Sequence, residues 1–73
     1  MRNIYIPILI APHNIALCKY YIEAQDNIGY LRVLNPKLAL LHAVTSPYQE
    51  DEMREFLYDI STLIPITFID SSF

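Results

Sequence analysis

Residues 22–45 read IEAQDNIGYLRVLNPKLALLHAVT, and their order decides the fold. The stretch opens on the end of a helix, which Asp26-Asn27 closes, because Asn tolerates the left-handed conformation found just past helix ends. Ile28–Leu34 then has the β-branched and aromatic content of a strand. Asn35-Pro36-Lys37 is a turn: Asn suits its first position and Pro pre-sets the backbone angle of the next. Leu38–Thr45 is the return strand.

Toward the N-terminus, Ile4–Ile10 places Ile4, Ile6, Ile8 and Ile10 on one face and Tyr5, Pro7 and Leu9 on the other. Both faces are mostly apolar, as in a strand covered on both sides. Pro7 cannot donate to a ladder, so the strand is expected either to bulge there or to split. Pro12-His13-Asn14 ends that strand and restarts the chain as a helix running to about Gln25. Ile15, Cys18, Ile22 and Gln25 form its apolar stripe, and Leu17, Tyr21 and Ala24 widen it.

Toward the C-terminus, Ser46-Pro47-Tyr48-Gln49 starts a second helix. Ser46 can cap it, Pro47 suits the first helical position, and Gln49 completes a capping box. Glu50, Asp51 and Glu52 follow, where the helix dipole favours negative charge. Met53, Phe56, Leu57, Ile60 and Leu63 or Ile64 form the buried stripe. Pro65 ends the helix, and Ile66–Asp70 is a last short strand. The order β-α-β-β-α-β defines an α+β class. It is the ferredoxin-like split β-α-β layout, a four-stranded antiparallel sheet with two helices on one face. Residues 1–73 are read as a single such domain.

Composition narrows the function. Hydrophobic residues make up 53% of the 73 residues and charged residues only 18%, against about 25% charged in typical soluble domains. A chain this short hides only about 60% of its unfolded surface, so excess apolar surface points to self-association. The net charge is −3, and Arg2, Lys19, Arg32, Lys37 and Arg54 are scattered. Nucleic-acid backbones demand clustered Lys and Arg, so no nucleic-acid partner is expected. Cys18 is the single cysteine, and small secreted domains are usually stapled by disulfides, so a cytoplasmic location is expected. The apolar runs near Ile4–Ala11 and Leu38–Val44 fall far short of the roughly 18 residues a membrane span needs, so no membrane association is expected.

Hairpin parity assigns the faces. Tyr30 and Arg32 share the open side, leaving Leu31 and Val33 toward the helices. A turn of odd length sets His42 beside Tyr30 and Leu40 beside Arg32, grouping the polar side chains away from the core. Tyr5, Leu9, Thr67 and Ile69 join them. The open sheet face is therefore the candidate interface, carried by Tyr5, Leu9, Tyr30, Arg32, Leu40, His42 and Ile69. Aromatic residues and Arg are the types enriched at interface cores.

Little in the chain carries chemistry. His13, Cys18, Glu23 and His42 show no zinc-type spacing, and Cys18 sits on an apolar stripe with no base beside it. The single glycine, Gly29, lies in a strand, where glycine marks a bulge or close packing. No catalytic, cofactor-binding or metal-ligating set is assigned, and the chain is read as non-enzymatic. Glu23 is the unexplained acid: it lies near a helix C-terminus, which disfavours an anion, with Lys19 one turn earlier as a partner. Glu23, Asp26 and Asn27 form a candidate polar anchor for a ligand or partner.

Ile15-Ala16-Leu17, Ile22-Glu23-Ala24, Asp26-Asn27 and Leu34-Asn35-Pro36-Lys37 resemble a family of short bacterial proteins catalogued only as a domain of unknown function. Its members carry an I-E-A-x-D-N helix end and an L-[DN]-P-K turn. Gln25 stands where an aromatic is usual, and Asn35 where Asp is usual. The resemblance implies the same split β-α-β layout and an affinity with small regulatory domains of the ACT type, and supplies no catalytic residue. Two functions are thus expected. One is a module that forms a homodimer or binds a protein partner through its open sheet face. The alternative is an ACT-like sensor holding a small molecule near the first loop and first helix, although Ala11-Pro12-His13-Asn14 lacks the glycine such sensors place there.

Overall fold

The computed structural model describes residues 2–25 and 28–69. Four strands, β1 (Ile4–Ile10), β2 (Tyr30–Asn35), β3 (Leu40–Thr45) and β4 (Ile66–Phe68), form one antiparallel sheet in the order β2-β3-β1-β4. Two helices, α1 (Ile15–Ala24) and α2 (Glu50–Ile60), complete the β-α-β-β-α-β order. This is the ferredoxin-like α+β layout.

The core lies between the helices and one sheet face. Ile6, Ile8 and Ile10 of β1 and Leu41 and Ala43 of β3 are buried there with Cys18 and Ile22 of α1 and Met53, Leu57 and Ile60 of α2. These α2 positions are four and three residues apart, the spacing that lines one side of a helix. Truncating a buried Leu such as Leu57 to Ala costs about 2–5 kcal/mol.

Pro7 neither bulges nor splits β1. The Ile69 amide donates to the Pro7 carbonyl at 3.0 Å, so Pro7 turns its backbone groups toward the β4 side. The β1–β4 pairing covers only Ile8–Ile10. The missing donor therefore falls just past the last β1–β4 pair, while the β3 ladder continues through Pro7 opposite His42.

The hairpin keeps its expected parity but not its expected pairs. Arg32 lies opposite His42 and Tyr30 opposite Val44, two residues away from the sequence reading, while Leu40 lies opposite Asn35. The cause is a longer loop, Pro36–Ala39, with a register irregularity between Val33 and Asn35. The Asn35 Oδ1 accepts from the Lys37 and Leu38 amides at 3.0 and 3.2 Å. This side-chain turn spends residues that the shorter loop leaves in β3. Ala39 closes the loop at φ 52°, and its carbonyl accepts from the Ile10 amide at 3.2 Å. A shift of two leaves every side chain on its expected face.

Gly29 sets the start of β2. Its φ is +147°, and a Cβ there would overlap the Val44 carbonyl oxygen and stand 2.6 Å from Met53 Cε. The chain thus enters the sheet at Tyr30 rather than Ile28. Beside it, the Thr45 hydroxyl donates to the Ile28 carbonyl at 2.6 Å, both buried.

Other boundaries shift for local reasons. A 3-10 turn that opens on proline leads into each helix, Pro12–Asn14 and Pro47–Gln49. The capping box is not made as a side-chain-to-backbone pair: Ser46 Oγ donates to Gln49 Oε1 at 3.1 Å. Gln25 caps α1 in extended conformation, and Leu17, Ala24 and Gln25 are exposed, so its stripe is the narrower Ile15, Cys18, Tyr21 and Ile22. Ile64, not Leu63, is the buried residue after α2. β4 ends at Phe68, and Asp70 lies outside the described residues.

Candidate functional site

The face opposite the helices is built from alternation along the strands. Across β1, β3 and β2, Tyr5, Val44 and Tyr30 form one row, and Pro7, His42 and Arg32 the next. Leu9 lies between Leu40 of β3 and Thr67 of β4. Ile69 is tied to the Pro7 carbonyl. The sheet thus brings together the seven residues expected at the interface.

Val44 was not among them. It is 1% exposed on this otherwise open face, because Tyr5 and Tyr30 flank it from both neighbouring strands. Its position two residues after His42 places it there by strand alternation. The two tyrosines remain 49% exposed. Tyr5 also meets His42, with ring centroids 5.5 Å apart at 55°, within the range of favourable aromatic pairs. Val33 lies on the helix side with Leu31, as expected, yet is 38% exposed, because β2 is an edge strand.

The charges are segregated. Glu50, Asp51, Glu52, Glu55 and Asp59 lie on α2 and Glu23 on α1. No acidic residue lies on the described strands, and Arg32 is their one Lys or Arg. The ion pair among the described residues joins Arg54 to Glu50 at 3.0 Å on α2. Glu23 is exposed and is not paired with Lys19. Its proposed companions Asp26 and Asn27 lie outside the described residues. The adjoining Gln25 and Ile28 line a shallow cleft with Glu52, Glu55, Phe56 and Asp59.

Cys18 is fully buried, and burial pushes its thiol up to about 11. At neutral pH it is a small apolar side chain rather than a nucleophile. His13 is exposed in the turn before α1. Among the described residues, no group of three His, Cys, Asp or Glu side chains is placed to hold a metal ion. Nor is any helix among them long and apolar enough to cross a membrane.

A small antiparallel α+β domain with an aromatic open face is the class these features define. A family model described as a domain of unknown function, DUF4911, matches residues 8–64, and the chain belongs to that family. No significant match is found among curated proteins or solved structures.

Proposed function

We propose that this domain is a non-enzymatic, cytoplasmic assembly module that pairs with a second copy through its open sheet face. The carrying observation is the composition of that face: Tyr5, Leu9, Tyr30, Leu40 and His42 share it with Arg32, the one Lys or Arg on the described strands, and no acidic side chain lies on those strands. Burying such a face costs little desolvation of charge, and each aromatic adds a large apolar area. A second copy fits better than an anionic polymer, because one Arg cannot neutralise a phosphate backbone. Strands about 4.8 Å apart and rising about 3.3 Å per residue give the face an outline on the order of 400 Å². That is about half the ~800 Å² per partner of a standard interface, so a pairing through this face alone is weak and concentration-dependent.

Sedimentation of the wild type and Leu40→Glu from 5 to 200 µM (about the span a weak pairing needs) tests the reading. A smaller assembly for Leu40→Glu than for the wild type, with an unchanged melting temperature, supports it. A wild type that stays monomeric, or a variant that associates equally well, overturns it. A saturable rise in melting temperature with an amino acid or nucleotide would instead favour the ACT-like sensor.

A further inference from the structure

We infer that the free edge of β2 is a second homotypic interface, at which β2 pairs antiparallel with β2 of another copy about Leu31. This surface is distinct from the open face, and a different observation carries it. Tyr30 and Arg32 pair with Val44 and His42 of β3. Ile10 donates to the Ala39 carbonyl, so the even residues of β1 turn their backbone groups to β3, and Pro7 turns its own to the β4 side. By strict alternation Leu40, His42 and Val44 turn theirs to β2, which leaves the amides and carbonyls of Leu31 and Val33 on the outer edge. Such an edge is a template for another strand unless charged side chains, Pro, a β-bulge or an inward charge blunt it. Residues 30–33, Tyr-Leu-Arg-Val, hold no Lys, Pro or inward charge; their one charged side chain, Arg32, lies on the open face, and the register irregularity falls only after Val33.

Exposed apolar side chains gather on this side of the molecule. Tyr30, Val33, Leu34 and Leu38 lie on β2 and its loop, and Leu17 and Tyr20 on α1, the helix packed against β2. Together they are six of the ten large apolar side chains that remain exposed among the described residues. The opposite edge, β4, is three residues long, and Tyr58 stacks on its Phe68 with centroids 4.8 Å apart.

The sequence of β2 selects the second copy and the register. Centred on Leu31, the two strands exchange hydrogen bonds between the paired Leu31 residues and set each Tyr30 opposite the other copy's Arg32. That close, non-hydrogen-bonded pairing lays a guanidinium over a phenol ring. Centred on Arg32, like charges would meet directly, which is unfavourable. Centred on Val33, the irregularity after Val33 would interrupt the ladder. The two-fold contact also brings α1 of both copies to the same side of an eight-stranded sheet. It doubles the open face to roughly the area of a standard interface, so the two contacts together build a dimer of dimers.

Val33→Pro removes an outward amide without touching the β2–β3 ladder, and proline is tolerated on such an edge. The expected result is a tetrameric wild type, a dimer for Val33→Pro, a dimer for Leu40→Glu and a monomer for the double variant. The wild-type amides of Leu31 and Val33 should gain at least about tenfold protection from hydrogen exchange on concentration, since that protection tracks local opening. If Val33→Pro does not fold, Leu17→Glu with Tyr20→Glu, both on the exposed side of α1, replaces it. Association lost in Leu40→Glu but intact in the edge variants overturns the edge pairing and leaves the open-face reading standing. The reverse pattern does the opposite, and a monomeric wild type overturns both.

Discussion

Gly29 and Val44 approach so closely that a Cβ on Gly29 would overlap the Val44 carbonyl oxygen. The contact joins the start of β2 to the end of β3 and leaves room for the Met53 side chain beneath. Gly29→Ala must either move β3 or abandon φ +147°, a conformation that costs other residues about 1–3 kcal/mol before the overlap is counted. A 73-residue domain at about 0.05–0.15 kcal/mol per residue has only about 4–11 kcal/mol to lose. Urea titration of Gly29→Ala should show a loss of ~3 kcal/mol or more, or no folded baseline at all. A midpoint within error of the wild type would refute the close approach.

Thr45 supplies a second test beside it. Its hydroxyl bond to the Ile28 carbonyl is buried, so Thr45→Val keeps the shape and removes the donor. Leaving a buried carbonyl without its partner costs about 1–3 kcal/mol. In a domain of this size that lowers the melting temperature by ~4–24 °C. Thermal unfolding followed by circular dichroism reads the change, and an unchanged Tm would show that Ile28 does not depend on this bond.

Ala39 holds a left-handed conformation at φ 52°. That conformation costs a non-glycine residue about 1–2 kcal/mol. Ala39→Gly removes the cost but returns about 0.4–1 kcal/mol through a freer unfolded chain. Ala39 is also fully buried, and the lost methyl costs about 0.8 kcal/mol more. The expected net effect is a change within about 0.5 kcal/mol of zero, whereas the β-branched Ala39→Val loses ~2 kcal/mol or more. Parallel denaturant curves decide it: Gly level with Ala, and both above Val, is required.

Cys18 gives a pH-dependent outcome. Burial raises its folded-state value from 9.0 to about 11, so the folded protein holds this proton more tightly than the unfolded chain does. Stability from this group is therefore fully present below about pH 9 and is lost as pH rises toward about 11. Cys18→Ala should flatten that alkaline decline. At pH 8 the native thiol should react with Ellman's reagent at least about a hundredfold more slowly than in urea, because it must wait for opening. Rapid labelling of the folded protein would contradict its burial.

The fold was legible because its signals are periodic and mutually consistent. The isoleucines of β1, the stripe of α2 and the proline breaks each point to the same layout. The open face was legible by parity, which survives a register error of two. What sequence could not carry was geometry set by distant partners. Asn35 capturing two amides lengthens the loop and moves His42 from Tyr30 to Arg32. Val33 is exposed because β2 lies at the edge, and no local pattern states which strand lies outermost. Val44 could have been read from alternation, although its burial depends on tyrosines from two other strands.

Pro7 gives the sheet an outline. Among the described residues the β1–β4 ladder runs over Ile8–Ile10 and stops at Pro7, which has no amide to offer, whereas the β1–β3 ladder continues to Ile4. A rectangular face lets a partner slide along the strands with little loss of cover. A tapered one does not, since sliding toward the narrow end uncovers apolar side chains that sliding the other way keeps beneath the partner. One missing hydrogen thereby becomes a mechanical index mark, able to set how far along the strands two faces come to rest.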